Sequence, residues 1–394
     1  MSASNVDYYG VEELYSAEEL LIRDSVRQWV ADEVAPIIAD CYQEGRFPAE
    51  LIQPMARLGL LGAHLPTRYD CAGVSSVAYG LVMQELERCD SGVRSFASVQ
   101  GSLCMFPIYT YGSEEQRQRW LPPMARGEVI GCFGLTEPDG GSDPSGTMRT
   151  RAVPDGEGGY VLSGSKMWIT NGTTAHVAVI WAVTLCADGS EVVRGFLVEH
   201  GTPGFSQVPV HQKLSLRASD TAELVLDEVR LPAANVLPKA LGLGAPLSCL
   251  TEARFGIAWG AVGAAMACYQ EALEYTTDRV TFGSPIAAKQ LVQEKLVWML
   301  SEITRSQLQV WRLGRLKEQG TLRPPHVSLA KRDCVAMALA CARHDRDILG
   351  AAGITAEFQA MRHMCNLESV YTYEGTHDIH TLIVGEDITG LRAF

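Results

Sequence analysis

A chain of 394 residues carrying a net charge of −13 lacks the basic surface that nucleic-acid binding requires, although local arginines can still hold anionic small molecules against that field. Its 47% hydrophobic and 20% charged residues are the balance of a globular protein large enough for two or three domains, and no apolar run is long enough to span a bilayer. The eleven cysteines are scattered without a Cys-x-x-Cys pair, which argues against a zinc site or redox dithiol and suits reduced thiols. The N-terminus, Met-Ser-Ala-Ser-Asn-Val-Asp, has neither a basic region nor an apolar signal core, and the final Leu391-Arg-Ala-Phe394 matches no lipidation signal. The expected location is cytoplasmic, with no membrane contact and no metal.

The first stretch, residues 1–128, reads as helical. Ser16-Ala-Glu-Glu19 has capping-box spacing ahead of an apolar-periodic run through Leu20, Val26, Val30 and Val34. Tyr79 to Leu86 repeats the helical spacing, and Ser113-Glu-Glu-Gln116 is a second N-cap, before Trp120 and Leu121. Residues 129–240 change character: short β-rich runs at 177–181, 193–198 and 222–226 are punctuated by glycine, aspartate and proline, as in a small β-sandwich or barrel. Residues 241–394 return to helical period, with helices predicted over 247–278, 288–319, 326–349 and 357–365, in the manner of an antiparallel four-helix bundle. The whole is α+β, mostly α.

Five segments carry chemistry. Tyr371-Thr-Tyr-Glu-Gly-Thr-His-Asp-Ile-His380 sets the carboxylate of Glu374 between Tyr373 and a glycine, which lets a ligand approach the backbone closely; Thr376 and Asp378 add polar groups on the same short turn. A lone Glu-Gly is as well explained by an exposed acidic loop. Gly131-Cys-Phe-Gly-Leu-Thr-Glu-Pro-Asp-Gly-Gly-Ser-Asp143 is a tightly turned loop whose Thr136, Ser142 and backbone N–H groups suit a phosphate or a flavin edge, or simply the entry to a β-domain. In Gly164-Ser-Lys-Met-Trp-Ile-Thr-Asn171, Trp168 and Thr170 suit a flat ring and its polar edge, although a tryptophan by itself is more often core. Asp278-Arg-Val-Thr-Phe-Gly-Ser-Pro-Ile286 places Arg279 before a Gly-Ser-Pro turn, where a guanidinium matches paired phosphate oxygens or caps a helix. Glu87-Arg-Cys-Asp-Ser-Gly-Val-Arg-Ser-Phe-Ala-Ser98 holds Arg94 near serines with an upstream carboxylate, either a clamp for a substrate carboxylate or a helix-surface ion pair.

Together these segments resemble the acyl-CoA dehydrogenases, in the form seen in glutaryl-CoA dehydrogenases. The resemblance runs from end to end and takes in Ser215-Leu-Arg-Ala-Ser219, Ala253-Arg-Phe-Gly-Ile-Ala-Trp-Gly260 and Ile388-Thr-Gly-Leu-Arg-Ala-Phe394. It implies an N-terminal helical domain, a middle β-domain and a C-terminal bundle. It implies FAD as cofactor, contacted through Phe133, Leu135, Thr136, Gly141, Ser142, Trp168, Ile169 and Thr170. Arg279, Phe282, Gln290, Asp347, Gly350, Gly353, Thr376 and Asp378 complete the implied cofactor set. The Arg279 segment reaches the cofactor of a neighbouring subunit in that family, so a homotetramer is implied.

It also implies Glu374 as the base with Tyr373 beside it, and a substrate site of Glu87, Arg94, Ser95, Ser98 and Arg254. Several relatives place their base just before the arginine equivalent to Arg254; here that position is Ala253, which leaves Glu374. The implied reaction is FAD-dependent α,β-dehydrogenation of a short dicarboxylic acyl-CoA: oxidative decarboxylation of glutaryl-CoA to crotonyl-CoA and CO2, with an electron-transfer flavoprotein as acceptor. Burial of Glu374 is expected to raise its pKa. The alternatives are a short- or branched-chain acyl-CoA dehydrogenase of catabolism or biosynthesis, without decarboxylation, and a silent scaffold of the same fold. The chain departs from the family pattern at Val93, Phe106, Gly172-Thr-Thr174 and Tyr371, and at Ala351, which stands within the Asp347-Ile-Leu-Gly-Ala-Ala-Gly353 run where a glycine is usual.

Overall fold

The predicted capping box at Ser16 and the predicted N-cap at Ser113 both form, and they start helices where the sequence places them. The Ser16 hydroxyl accepts from Glu19 N at 3.2 Å while the Glu19 carboxylate accepts from Ser16 N at 2.8 Å; Ser113 and Gln116 exchange the same pair of bonds. In this computed structural model, which describes residues 6–185 and 189–393, the first third is helical: α1 (Ala17–Trp29), α2 (Ala35–Glu44), α3 (Ile52–Arg57), α4 (Ser76–Cys89), α5 (Ser91–Ser98), α6 (Phe106–Tyr111) and α7 (Glu114–Ala125). Met1–Asn5 and Phe394, on which the terminal readings partly rest, lie outside the described residues. A π-helical segment, Val99–Met105, joins α5 to α6. Within it Gln100 is buried, donates to Met124 O and Val129 O, and accepts from Gly131 N, so it fixes the entrance to the β region.

Seven strands follow, with a short helix α8 (Pro144–Thr147) among them: β1 (Gly131–Gly134), β2 (Arg151–Pro154), β3 (Tyr160–Thr170), β4 (Val177–Leu185), β5 (Glu191–Glu199), β6 (Phe205–Pro209) and β7 (Thr221–Leu231). All belong to one hydrogen-bonded sheet, in the order β1-β4-β2-β3-β7-β6 with β5 paired to β4. β4 runs parallel to β1 and β2, and the other pairings are antiparallel. The register of β3 against β7 shifts between Lys166 and Ile169, a bulge that re-aims the side chains it carries.

The C-terminal helices are α9 (Gly244–Asp278), α10 (Gln290–Glu318), α11 (Pro324–Ile348), α12 (Ala360–Thr372) and α13 (His377–Thr389), with a small hairpin of β8 (Val280–Thr281) and β9 (Ser284–Pro285) before α10. The bundle therefore holds one helix more than the four predicted. The stretch after Gly375, expected to be a short turn, starts α13: the Thr376 hydroxyl accepts from Ile379 N at 3.1 Å and Asp378 sits in the first turn. α9 is buried on nearly every face from Ala253 to Cys268, as a helix in the centre of a bundle must be. Its small residues let α4 come close. A Cβ on Gly263 would lie 1.9 Å from Gln84 O, so only glycine fits there. Ten of the eleven cysteines lie in the described residues; all ten are free and only Cys365 is not fully buried.

Candidate active site

Four residues, Tyr373 to Thr376, link α12 to α13, and Glu374 stands in the middle of them. Its backbone is left-handed at φ 52°, rare for a residue with a side chain, and Gly375 follows at φ 94°. A Cβ on Gly375 would lie 2.8 Å from His380 Nε2 and 3.2 Å from an Arg254 guanidinium nitrogen, so the sequence needs glycine here. Two buried cations hold the turn. Arg254, from α9, donates through Nε to Glu374 O at 2.6 Å. Lys331, from α11, donates to Tyr373 O at 3.0 Å and to Gly375 O at 2.9 Å. The Glu374 carboxylate has one oxygen, Oε2, buried without a partner. Burial pushes its pKa up to about 7, against the opposing pull of Arg254, Arg94 and Lys331. That is the expected direction, and it makes a base poised for neutral pH.

Next to this turn lies an ion pair that is wholly internal. Arg94, on α5, meets Glu87, on α4, with Nε 2.5 Å from Oε2 and a second nitrogen 3.3 Å from Oε1. Both side chains are at most 1% exposed, which rules out a helix-surface pair. Arg94 also donates to the Tyr373 hydroxyl, and Ser95 Oγ is 3.4 Å from that same oxygen. Burial opposes the arginine's charge, but Glu87 and Tyr373 hold its pKa above the ordinary value. Burial pushes the Tyr373 phenol up to about 12, so it keeps its proton. The Ser98 hydroxyl is buried and without a partner. Two devices set this corner. Asp90 caps α5 by accepting from Gly92 N at 2.7 Å and is tied to Asn366 of α12 at 2.9 Å. Gly260 of α9 leaves the room that Glu87 and Arg94 fill: a Cβ there would lie 1.9 Å from Glu87 Oε2.

A third group lies on the β-sheet. Lys166 and Glu137 form a buried pair at 2.8 Å, Glu137 accepts from Arg149 N and Thr150 N, and Met167 N donates to Thr136 O. These contacts lock the Thr136 loop onto β3. The bulge in β3 then turns Trp168 outward at φ 63°, leaving it 61% exposed. The expectation that a lone tryptophan is core thus fails here: the bulge breaks the alternation that would have pointed the ring inward. Phe133, Leu135 and Ile169 are buried beneath this ledge, Thr136 and Thr170 are half-buried, and Gly141 and Ser142 are exposed on the loop.

The remaining predicted cofactor residues gather elsewhere. Phe282, at the tip of the β8–β9 hairpin, is 98% exposed, and Gln290 is exposed at the start of α10. Arg279 lines an open cavity of about 740 Å³ together with Glu271, Tyr275 and Gln359. Asp347 pairs with Lys295, and Gly350 takes φ 62°. Ala351 has an ordinary helical φ of −65°, so the alanine there is unstrained. Gly353 is the tight position, since a Cβ would lie 2.4 Å from Arg346 O. Among the described residues, no hydrogen bond or ring contact joins the Trp168 group to the Arg279 group. An outward indole beside polar Thr136, with a solvent-facing arginine elsewhere, fits a flat-ringed dinucleotide.

Of the departures, Val93 is fully buried in the helical core and Phe106 is half-buried against a second core beside Tyr109. Tyr371 stacks on His377 with ring centroids 4.6 Å apart, and Thr173 bonds Asp220 through N and Oγ1. Sequence reasoning missed Lys331, Gly260 and Lys166. For Lys331 a signal existed: it shares the stripe Val327, Cys334, Val335 and Ala338, which is core spacing on a helix. Among the described residues no cluster of metal-ligating side chains occurs, and no helix is long and apolar enough to cross a membrane.

Three family models match the chain: acyl-CoA dehydrogenase, N-terminal domain, over residues 16–128; the middle domain over 132–229; and the C-terminal domain over 241–389. A glutaryl-CoA dehydrogenase from Mycobacterium smegmatis, solved in complex with FADH2, superimposes with a TM-score of 0.95 at 50% identity, covering 99% of each chain. The short-chain specific mitochondrial acyl-CoA dehydrogenase of Bos taurus is 35% identical over 92% of this chain and 88% of its own. A chain from an Acidaminococcus fermentans structure described as an electron transferring flavoprotein matches with a TM-score of 0.91 at 30% identity, covering 95% of this chain and 98% of that one.

Proposed function

The chain belongs to the acyl-CoA dehydrogenase family, and on that premise we propose that it oxidises glutaryl-CoA and decarboxylates the product to crotonyl-CoA and CO2. The observation that carries this reading is the buried Arg94, held by Glu87 and Tyr373 beside the base turn. A fully internal arginine has no use for a purely apolar acyl tail, whereas a far carboxylate gives it a charge-matched partner. The likeness at 50% identity to a glutaryl-CoA dehydrogenase supports the same substrate class.

In this reading Glu374 takes the α-proton as general base, its carboxylate made basic by burial. The Glu374 N–H, which donates to no acceptor among the described residues, faces the need for a donor to the thioester oxygen as negative charge builds there. FAD would be held by Thr136, Ser142, Trp168 and Thr170, with Arg279 and Phe282 reaching it from a second chain, and when bound it would supply the acceptor for the β-hydride. The resulting glutaconyl-CoA loses CO2 from its far end; the electron pair moves into the conjugated thioester, and Glu374, now protonated, returns the proton to give crotonyl-CoA. Tyr373, kept protonated, steadies the departing carboxylate together with Arg94. The proposal extends to a cytoplasmic homotetramer with domains at residues 1–128, 129–240 and 241–394, passing electrons to an electron-transfer flavoprotein.

A second reading has two specific supports. Arg94 is already paired with Glu87, and a relative named short-chain specific covers most of the chain. A short-chain acyl-CoA dehydrogenase would then use Arg94 only to hold Tyr373. Mass spectrometry of the CoA products from glutaryl-CoA with an artificial electron acceptor separates the two. Crotonyl-CoA supports the first reading, glutaconyl-CoA removes decarboxylation, and unchanged glutaryl-CoA with oxidised butyryl-CoA supports the second. Arg94→Ala should cost at least ~100-fold more in kcat/KM with glutaryl-CoA than with butyryl-CoA; equal losses would remove the carboxylate clamp.

A further inference from the structure

Three consecutive carbonyls of the base turn are each engaged by a buried cation: Tyr373 O and Gly375 O by Lys331, and Glu374 O by Arg254. Lys331 is 1% exposed and comes from α11, whereas Arg254 comes from α9. Its two acceptors flank Glu374 on either side, so one ammonium bridges the left-handed residue. Such a backbone is unfavourable for a residue with a side chain and persists only where its surroundings over-determine it. A buried lysine is also expensive unless its donors are satisfied, and here two backbone oxygens answer it. We propose that Lys331 is a positioning residue for the base: it fixes the strained turn that aims the Glu374 carboxylate and keeps positive charge beneath it.

The charged and titratable groups around Lys331 come from the base turn and from four helices. They are Glu374 and Tyr373 on the turn, Arg254 on α9, Arg94 on α5, Glu87 on α4, and His377 and His380 on α13. Burial lowers the lysine's pKa to about 7, and Glu374 pulls it back up. The lysine in turn lowers the pKa of Glu374. Each group therefore favours the other's charged form, which is the state in which the base works.

The inference rests on Glu374 acting as base toward an acyl-CoA. It is tested on the flavin-loaded protein with Lys331→Met, Lys331→Gln and Lys331→Arg, measuring kcat, KM and the pH dependence of kcat/KM with the preferred acyl-CoA. Lys331→Met should lower kcat at least ~10-fold with KM nearly unchanged, since aim and not affinity is lost. Both neutral variants should move the rising limb of the pH profile upward by about one unit, the effect of removing a nearby positive charge. Lys331→Arg should restore that limb. If Lys331→Met does not fold, Lys331→Gln, which keeps a donor for the carbonyls, still reads the charge. A folded Lys331→Gln with wild-type kcat and an unmoved limb overturns the proposal, as does a loss confined to KM. Wild-type protein that oxidises no acyl-CoA would instead defeat the parent reading.

Discussion

Glu374 combines features that rarely coincide in one side chain: a left-handed backbone, a carboxylate oxygen without a partner, and a pKa raised to about 7. Replacing it with glutamine should lower turnover by roughly 10²–10⁴ while leaving flavin binding intact, checked by single-turnover kinetics and the absorbance of the purified protein. The same substitution should alter stability with a definite sign. A carboxyl whose folded pKa lies above its unfolded value holds more protons when folded, so stability falls as pH rises from about 4.5 through about 7. Glu374→Gln should therefore melt higher than wild type at pH 8, with the difference vanishing toward pH 4. At this scale much was legible in the chain. Glu374, Tyr373, Arg94 and Glu87 were readable from motif and resemblance, and the structure brings them into one corner. Lys331 was not singled out: its core-spaced stripe shows burial, but its partners are backbone carbonyls, which give no residue-type sign of what it holds.

Elements position these residues through close approach rather than through their own chemistry. The α4–α9 contact depends on glycine: a methyl at position 260 would fall on the Glu87 carboxylate, and one at 263 on a backbone oxygen. Gly260→Ala should destabilise the fold by about 1–3 kcal/mol and reduce turnover of glutaryl-CoA more than that of butyryl-CoA, because it displaces Glu87 and frees Arg94. Thermal melts and a two-substrate comparison check this. Two helix starts were legible from their capping side chains, those at Ser16 and Ser113. α13 was hidden because its N-cap, Thr376, follows directly on a Glu-Gly pair that reads as a turn. The outward direction of Trp168 was legible only through the family resemblance, because it comes from the β3 bulge, and a bulge arises from pairing with β7, some fifty residues away.

For the whole molecule, the two separate groups of predicted cofactor residues set the expectation. Phe282, at the tip of its hairpin, projects almost wholly into solvent. Phe282→Asp should yield a smaller species by light scattering and a paler protein, since both assembly and cofactor retention draw on that tip; a full-size yellow protein would contradict this. The α, β, α order was legible from periodicity alone, but the way its parts converge was not, because convergence is a matter of contacts distant in sequence. The base corner is the extreme case. Arg94 meets Tyr373 across 279 positions, and Arg254 meets Glu374 across 120. Loops that long close late, after local helices and hairpins have formed. A chain in which these two contacts have not closed thus carries no aimed base, and the reactive carboxylate exists only where long-range closure has been achieved.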